Sequence, residues 1–501
     1  MNRNVLQYLE ESAARFPENC ALIDENHRYT YSGLLSKSRR VGSALCKKNV
    51  FACPVGVYGE KDCASLFAFF GIVYAGGFYC FLNPELPAGR LSQITDVLSP
   101  KLIITTSAMK DEAAGIFPGF ELATVEELMD EEICEESLRF VRVRAIDTDP
   151  LYINFTSGST GVPKGIVVAH RSVIDFIDCF TETFGINETD VIANQAPFDF
   201  DVSVKDIYTA LKTGAALAVV PRRLFSVPTE LIDFLCEHKA TVMVWAVSAL
   251  CLLSTFHALD YKTPETVRMI LFSGEVMPNK ALKNFRSHLP ETTYVNLYGP
   301  TEITCNCTYH ILSKERDYAD GIPIGKAFLN EDVFLLDEAD RRVTSPGAVG
   351  EICVRGSALA LGYYSAEKQN ELHFVQNPLN PYYPERIYRT GDLGRFDENG
   401  DLFFSGRKDF QIKYMGHRIE LEEIEREMSA IDGVERCCCI FDEKKSRLKG
   451  FYVGSIEKTA LHELMAKDLP AFMVPGIIRQ VEEMPLTKNG KIDRKKLAEL
   501  K

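Results

Sequence analysis

From residue 1 to about residue 400, short apolar runs alternate with segments of helical period, and this alternation limits the fold more than any other feature. The runs at 151–155, 166–168, 217–220, 241–245, 269–272 and 294–297 are rich in Val, Ile, Leu and aromatic residues and read as strands. Between them, Val173, Phe176, Ile177, Phe180 and Phe184 recur at helical spacing and stop at Gly185. Strands alternating with helices predict a mostly parallel sheet with helices on its faces. Between about Gly321 and Gly406 the density of glycines and turns rises around short strands at 333–336 and 351–354, which predicts an antiparallel or barrel-like subdomain. Beyond Asp409 the pattern turns to charged helices and short strands, through to Lys501. The expected class is α/β and multidomain: a large N-terminal domain of α/β sheets with a β-barrel-like subdomain, then a small α+β C-terminal domain. At 501 residues the chain is too long for one core. It holds no internal repeat and no low-complexity segment.

A formal charge of -14 argues against broad binding to nucleic acid or to an acidic membrane surface. The 15 cysteines include no Cys-x-x-Cys pair, and Cys305-Asn-Cys307 and the run Cys437-Cys438-Cys439 are poorly spaced for a closed zinc site. Many unpaired cysteines behind an acidic, amphipathic N-terminus, where a secretory leader needs an apolar core, point to a reducing cytoplasm. The uncharged stretch 63–84 is interrupted by Gly71, Gly76 and Gly77. It reads as a buried helix, a glycine turn and a buried strand rather than a membrane span, so no integral membrane contact is expected.

Directly after the first of these strands stands Thr156-Ser-Gly-Ser-Thr-Gly-Val-Pro-Lys-Gly165, with three glycines, four hydroxyls and one lysine in ten positions. It is neither a Walker loop nor a Gly-x-Gly-x-x-Gly turn. The physics still suits phosphate: glycines let backbone N–H groups approach oxygens, hydroxyls donate, and Lys164 adds a mobile charge. An ordinary polar turn is the competing reading of the loop taken alone.

Four further segments decide between them. These are Tyr298-Gly-Pro-Thr-Glu302, Tyr388-Arg-Thr-Gly-Asp-Leu393, Gly406-Arg-Lys-Asp409 and Pro485-Leu-Thr-Lys-Asn-Gly-Lys491. With the loop, and with Arg28-Tyr-Thr-Tyr31 and Tyr74-Ala-Gly-Gly-Phe78, they resemble the signature motifs of the adenylate-forming superfamily across essentially the whole chain. That superfamily holds acyl-CoA synthetases, luciferase and the adenylation domains of nonribosomal peptide synthetases. The resemblance implies ATP and Mg2+ as the nucleotide and metal. It assigns pyrophosphate to Thr156, Ser157, Gly158, Ser159, Thr160, Gly161 and Lys164, with Thr301 on phosphate and Glu302 on Mg2+. Tyr298 is expected to stack on adenine beside Asn296 and Gly299, and Asp392 to accept both ribose hydroxyls. The implied layout is an N-terminal adenylate-forming domain at 1–405, a hinge at 406–409 that includes Arg407 and Asp409, and a mobile C-terminal domain at 410–501. Lys491 is the implied catalytic lysine, bridging carboxylate and α-phosphate. After adenylation, the same resemblance brings Gln411-Ile-Lys-Tyr-Met-Gly416 to the site, where Gly416 admits a pantetheine arm.

Phe200-Asp-Val-Ser203 resembles the amino-acid-activating branch, in which the aspartate pairs with the substrate α-ammonium. Asp201 is the candidate and Asp199 the nearby competitor. A fatty-acid pocket offers a buried carboxylate no cation, which separates this reading from an acyl- or aryl-CoA ligase using coenzyme A. The stretch 194–208 and Leu271-Phe-Ser-Gly-Glu-Val-Met-Pro278 resemble D-alanine–carrier-protein ligases, with Ser273 where those enzymes usually carry cysteine. The implied pocket wall is Val202, Lys205, Ala249, Leu271, Ser273, Gly274, Leu297, Cys305 and Asn306. Leu271 and Leu297 restrict volume, Ser273 and Asn306 offer hydrogen bonds, and Lys205 either meets an acidic side chain or points to solvent. A small amino acid such as alanine, serine or cysteine fits that wall. The chain stops ten residues after Lys491, so a separate acyl or peptidyl carrier protein with a phosphopantetheine thiol is the expected acceptor. Carriers are usually acidic, and Lys488, Lys491, Arg494, Lys495 and Lys496 are the candidate basic face for one.

Overall fold

The computed structural model describes residues 2–157, 162–442, 445–486 and 492–500. Gly158, Ser159, Thr160, Gly161, Lys488 and Lys491 therefore lie outside the described residues. The chain divides into two compact units: Met1–Asn83, Leu98–Asn154 and Gly165–Lys408 form one, and Pro84–Val97, Phe155–Lys164 and Asp409–Lys501 form the other.

In the first unit the predicted strands occur as Ala216–Val219, Val242–Ala246, Met269–Ser273 and Thr293–Tyr298. They lie in a sheet that has nine strands among the described residues. Thr293–Tyr298, Met269–Ser273, Val242–Ala246, Val191–Asn194 and Ala216–Val219 are neighbours in that order, all parallel. Their C-terminal ends therefore open on one edge of the sheet, where α/β folds build ligand sites. A second sheet carries Phe78–Leu82, Pro54–Tyr58 and Pro150–Thr156. A third is antiparallel throughout, as the turn density predicts, and pairs Glu331–Leu336, Val349–Gly356, Arg386–Phe396 and Leu402–Arg407.

Local signals explain the element ends. Asp62 caps the helix Cys63–Tyr74 by accepting from the Ser65 N–H at 3.0 Å, and the helix is buried along its length. Gly76 then turns at a φ of 75°, and the buried strand Phe78–Leu82 follows. No helix among the described residues is long and apolar enough to cross a membrane. The helix His170–Phe184 buries Val173, Phe176, Ile177, Phe180 and Phe184 and stops at Gly185 in the left-handed region.

His170 is buried, and its Nδ1 accepts from the Val5 N–H at 3.4 Å. Burial first, and then the Arg142 charge, holds this imidazole down to about 3. The sign follows: the stability from keeping His170 neutral is present above its unfolded value of about 6.5 and is lost as pH falls through 3. The His170→Gln variant is therefore expected to lose less of its melting temperature than the parent between pH 7.5 and pH 4.5, in parallel thermal scans. Equal losses in the two proteins would remove His170 as an acid-sensitive group.

The second unit holds a hairpin, Gln411–Tyr414 with His417–Glu420, and a sheet of Val434–Asp442, Arg447–Gly454 and Ile477–Gln480. Its core gathers Ile424, Met428, Cys439, Tyr452, Leu461 and Met465. None of the 15 cysteines is in a disulfide, and the run Cys437-Cys438-Cys439 is buried in a strand rather than gathered around a metal.

Candidate active site

The strand Thr293–Tyr298 carries Asn296, Leu297 and Tyr298 to the open edge of the parallel sheet, all buried. The Asn296 amide donates to the Pro323 carbonyl at 2.8 Å. The chain then makes one short 3-10 turn, Thr301–Ile303, and comes back through Thr304 and Cys305 at φ values of 51° and 73°. Such left-handed backbone is costly outside glycine and marks a tightly determined loop. Gly299 makes the loop possible: a Cβ there would stand 2.5 Å from Asn306 Cα, 2.8 Å from the Cys305 carbonyl oxygen and 2.9 Å from Cys307 N.

Two carboxylates are fixed around this turn. Glu302 is 1% exposed, and the Tyr363 hydroxyl donates to its Oε1 at 2.7 Å. The Tyr388 hydroxyl lies 3.4 Å from that of Tyr363. Asp392 is 2% exposed and sits opposite Arg407 in the antiparallel sheet. Its Oδ2 accepts from the Tyr298 hydroxyl at 2.6 Å, and its Oδ1 is paired with the Arg407 guanidinium. Burial first, then the Asp392 charge, pushes the Tyr298 phenol well above its usual range, so it stays a donor. Tyr298, Asp392 and Arg407 are thus joined directly, and Thr301 adjoins Glu302.

The predicted substrate residues gather at the ends of the parallel strands and at the head of the helix Val202–Thr213. Asp201 precedes that helix, and its carbonyl receives the Cys305 thiol at 3.0 Å. The Asn154 amide, oriented so that both its ends are satisfied, accepts from the Asp201 N–H at 3.1 Å. One turn on, Lys205 is completely buried, and its Nζ donates to Asn306 Oδ1 at 2.6 Å. The solvent-facing alternative for Lys205 is thereby excluded. Leu271 and Ser273 lie on Met269–Ser273, Gly274 follows at a φ of 96°, and Ala249 lies on the helix Val247–Thr255. Asp201, Cys305, Lys205 and Asn306 form one connected group; Val202 lies on the helix of Lys205. The competitor Asp199 receives both hydrogen bonds of the Asn83 amide, at 3.2 and 3.3 Å, and burial pushes its carboxyl up to about 6.

In the second unit, Thr156 ends the strand Pro150–Thr156 and Lys164 begins Lys164–Ala169, both half-buried. The Ser157 hydroxyl donates to the Arg418 carbonyl. The basic face predicted near the C-terminus loses a member: Arg494 turns inward, paired with Glu425 at 2.6 Å and stacked 4.2 Å over the Phe410 ring. Lys495 and Lys496 remain exposed.

Tyr363 escaped the sequence reading, because only the folded sheets bring it to Glu302. So did a buried polar chain beside Lys205. Lys61 donates to the Asn194 and Gln195 carbonyls at 3.0 and 2.9 Å, and the Asn194 amide donates to Asp206 Oδ2 at 2.8 Å. Burial pushes Asp206 up to about 7 and Lys61 down to about 7. The available signal was a Lys-Asp pair, 205–206, within an otherwise mostly apolar helix.

Residues 9–364 match the family of AMP-binding enzymes, and residues 423–491 match the AMP-binding enzyme C-terminal domain. The chain belongs to the AMP-binding enzyme family. It is 32% identical over 513 residues to zwittermicin A synthase ZmaJ of Bacillus cereus, covering 99% of this chain and 95% of that one. It is 30% identical over 506 residues to tyrocidine synthase 1 of Brevibacillus parabrevis, covering 99% of this chain but only 45% of that protein's length. Among solved structures, holo-PA1221, an NRPS protein containing adenylation and PCP domains, superposes with a TM-score of 0.84 at 27% identity, over 99% of this chain and 84% of that one.

Proposed function

We propose that the protein activates a small amino acid with ATP and passes it to the phosphopantetheine thiol of a separate carrier protein. An amino acid's carboxylate is a poor electrophile, since oxide would have to leave. Attack by one of its oxygens on the α-phosphorus of ATP forms the aminoacyl adenylate and breaks the bond to pyrophosphate. A thiol then attacks the carbonyl carbon, and AMP leaves. The first nucleophile is already ionised, so the protein's work is positioning and charge neutralisation rather than proton removal.

The residues support these roles. Asp392 has one protein donor on each oxygen, and a carboxylate's remaining lone pairs suffice for the two ribose hydroxyls. A single buried carboxylate held by a phenol suits Mg2+, which takes one or two carboxylates and fills its shell with phosphate oxygens and water. Bound at Glu302, Mg2+ would neutralise charge on the polyphosphate. Lys491, by resemblance, would bridge carboxylate and α-phosphate, with 406–409 as the hinge between the domains at 1–405 and 410–501.

The observation that carries the amino-acid reading is Asp201, a carboxylate held at the head of a helix by its own backbone contacts to Asn154 and Cys305. Its assigned partner is the substrate's α-ammonium. Exchange of labelled pyrophosphate into ATP, across L- and D-amino acids and simple carboxylates, tests the reading. At least one amino acid is expected to outrun every simple carboxylate; the reverse ranking would leave an acyl- or aryl-CoA ligase. Asp201→Ala is expected to raise the amino acid's KM by about 10- to 100-fold, the scale of losing a hydrogen bond to a charged group, with the KM for ATP unchanged.

A further inference from the structure

The helix Val202–Thr213 sets a negative and a positive group on one face. Asp201 and Lys205 are four residues apart, so they share a face and lie about 6 Å apart along the axis. Lys205 is completely buried, and a lysine ammonium carries three donors. One donor goes to Asn306 Oδ1 at 2.6 Å; the other two have no acceptor among the described residues. No carboxylate among the described residues forms an ion pair with it, although Asp201 and Asp206 both lie close enough to favour its charge. Asn306 adds to the imbalance. It is 2% exposed, its oxygen is taken by Lys205, and its NH2 has no acceptor among the described residues. Two neighbouring groups thus present donors without acceptors among the described residues. Nature rarely leaves such groups unmet, because an unpaired buried donor carries its full desolvation cost, and more when it is charged.

We propose that the substrate's side chain ends in an acceptor oxygen, a carboxylate or carboxamide, which Lys205 and Asn306 receive. This rests on the reading of Asp201 as the α-ammonium partner, and it replaces alanine, serine or cysteine as the expected substrate with a side chain that carries an acceptor. An amino acid of the aspartate, asparagine, glutamate or glutamine type matches the helix face end to end: its ammonium meets Asp201 and its distal oxygen meets Lys205. Leu271 and Leu297, buried in the flanking strands, limit the length of that side chain. An aliphatic side chain in the same place would leave every one of those donors unmet, and a site built to hydrogen-bond a group discriminates strongly against analogues that lack it.

The test is pyrophosphate exchange with the unmodified chain on aspartate, asparagine, glutamate and glutamine against alanine, valine and leucine. One of the first four is expected to lead in kcat/KM by about 100-fold. The lead of the carboxylate or of the amide within each pair tells which oxygen is read. In Lys205→Met, which keeps the length of the buried stem, that lead is expected to shrink at least tenfold in favour of the aliphatic substrates. An aliphatic amino acid leading on the unmodified chain overturns the inference while leaving amino-acid activation intact. A uniform loss over all substrates in Lys205→Met, without a change of ranking, also overturns it and makes Lys205 an internal partner of Asp206. Exchange with simple carboxylates alone overturns the activation reading and this inference together. The ranking on the unmodified chain decides the matter even where the variant does not fold.

Discussion

Replacing Glu302 by glutamine is expected to lower amino-acid-dependent pyrophosphate exchange by about 100- to 1,000-fold, the cost of removing one preorganised charge-stabilising group. The substitution is nearly isosteric, and the amide oxygen can still accept from the Tyr363 hydroxyl, which now lies 2.7 Å from Glu302 Oε1. What disappears is a buried negative charge. The melting temperature is therefore expected to stay close to that of the parent while turnover collapses. That separation is the point of the experiment: a structural Glu302 would lower both or neither. Near-parent exchange in Glu302→Gln would remove the residue from any role in holding Mg2+.

The second large effect is expected at Asp392. In Asp392→Asn, the Arg407 guanidinium, 13% exposed at its side chain, keeps its charge and loses the Asp392 carboxylate. The Tyr298 phenol loses a charged acceptor at 2.6 Å. Breaking a buried pair from one side costs about 3–5 kcal/mol, so both stability and nucleotide affinity should fall. The KM for ATP is expected to rise by about 100- to 1,000-fold, at the lower end of that scale. The double variant Asp392→Asn, Arg407→Met should recover melting temperature, since the buried guanidinium is removed together with its carboxylate, but not ATP affinity. Recovery of both would mean that Asp392 serves Arg407 alone and never meets ribose.

The alternating α/β architecture could be read from residue spacing because each strand declares itself locally. Residues 242–245 and 269–272 are apolar on both sides, as strands covered on two faces must be. The motif residues could be read because their chemistry is concentrated in short segments. Partnerships across distant segments could not. Tyr363 reaches Glu302 across 61 positions, and Lys61 reaches Asn194 across 133; no local pattern records either. Arg494 looked like surface charge in a lysine-rich tail, and only the packing of Glu425 and Phe410 around it shows otherwise. Lys205 was open between pocket and solvent in sequence because a lysine's burial depends on what folds over it.

The turn at Gly299 bears on how a pocket like this one changes over evolutionary time. Because backbone atoms of residues 305–307 occupy the place where a side chain at position 299 would begin, the backbone there has little slack for lengthening or shortening. New preferences along that wall must come from exchanging the side chain at position 306, one residue at a time, on an unmoving scaffold. Insertions would first have to unseat the segment that also carries Glu302, so selectivity can drift here while the chemistry next door stays put.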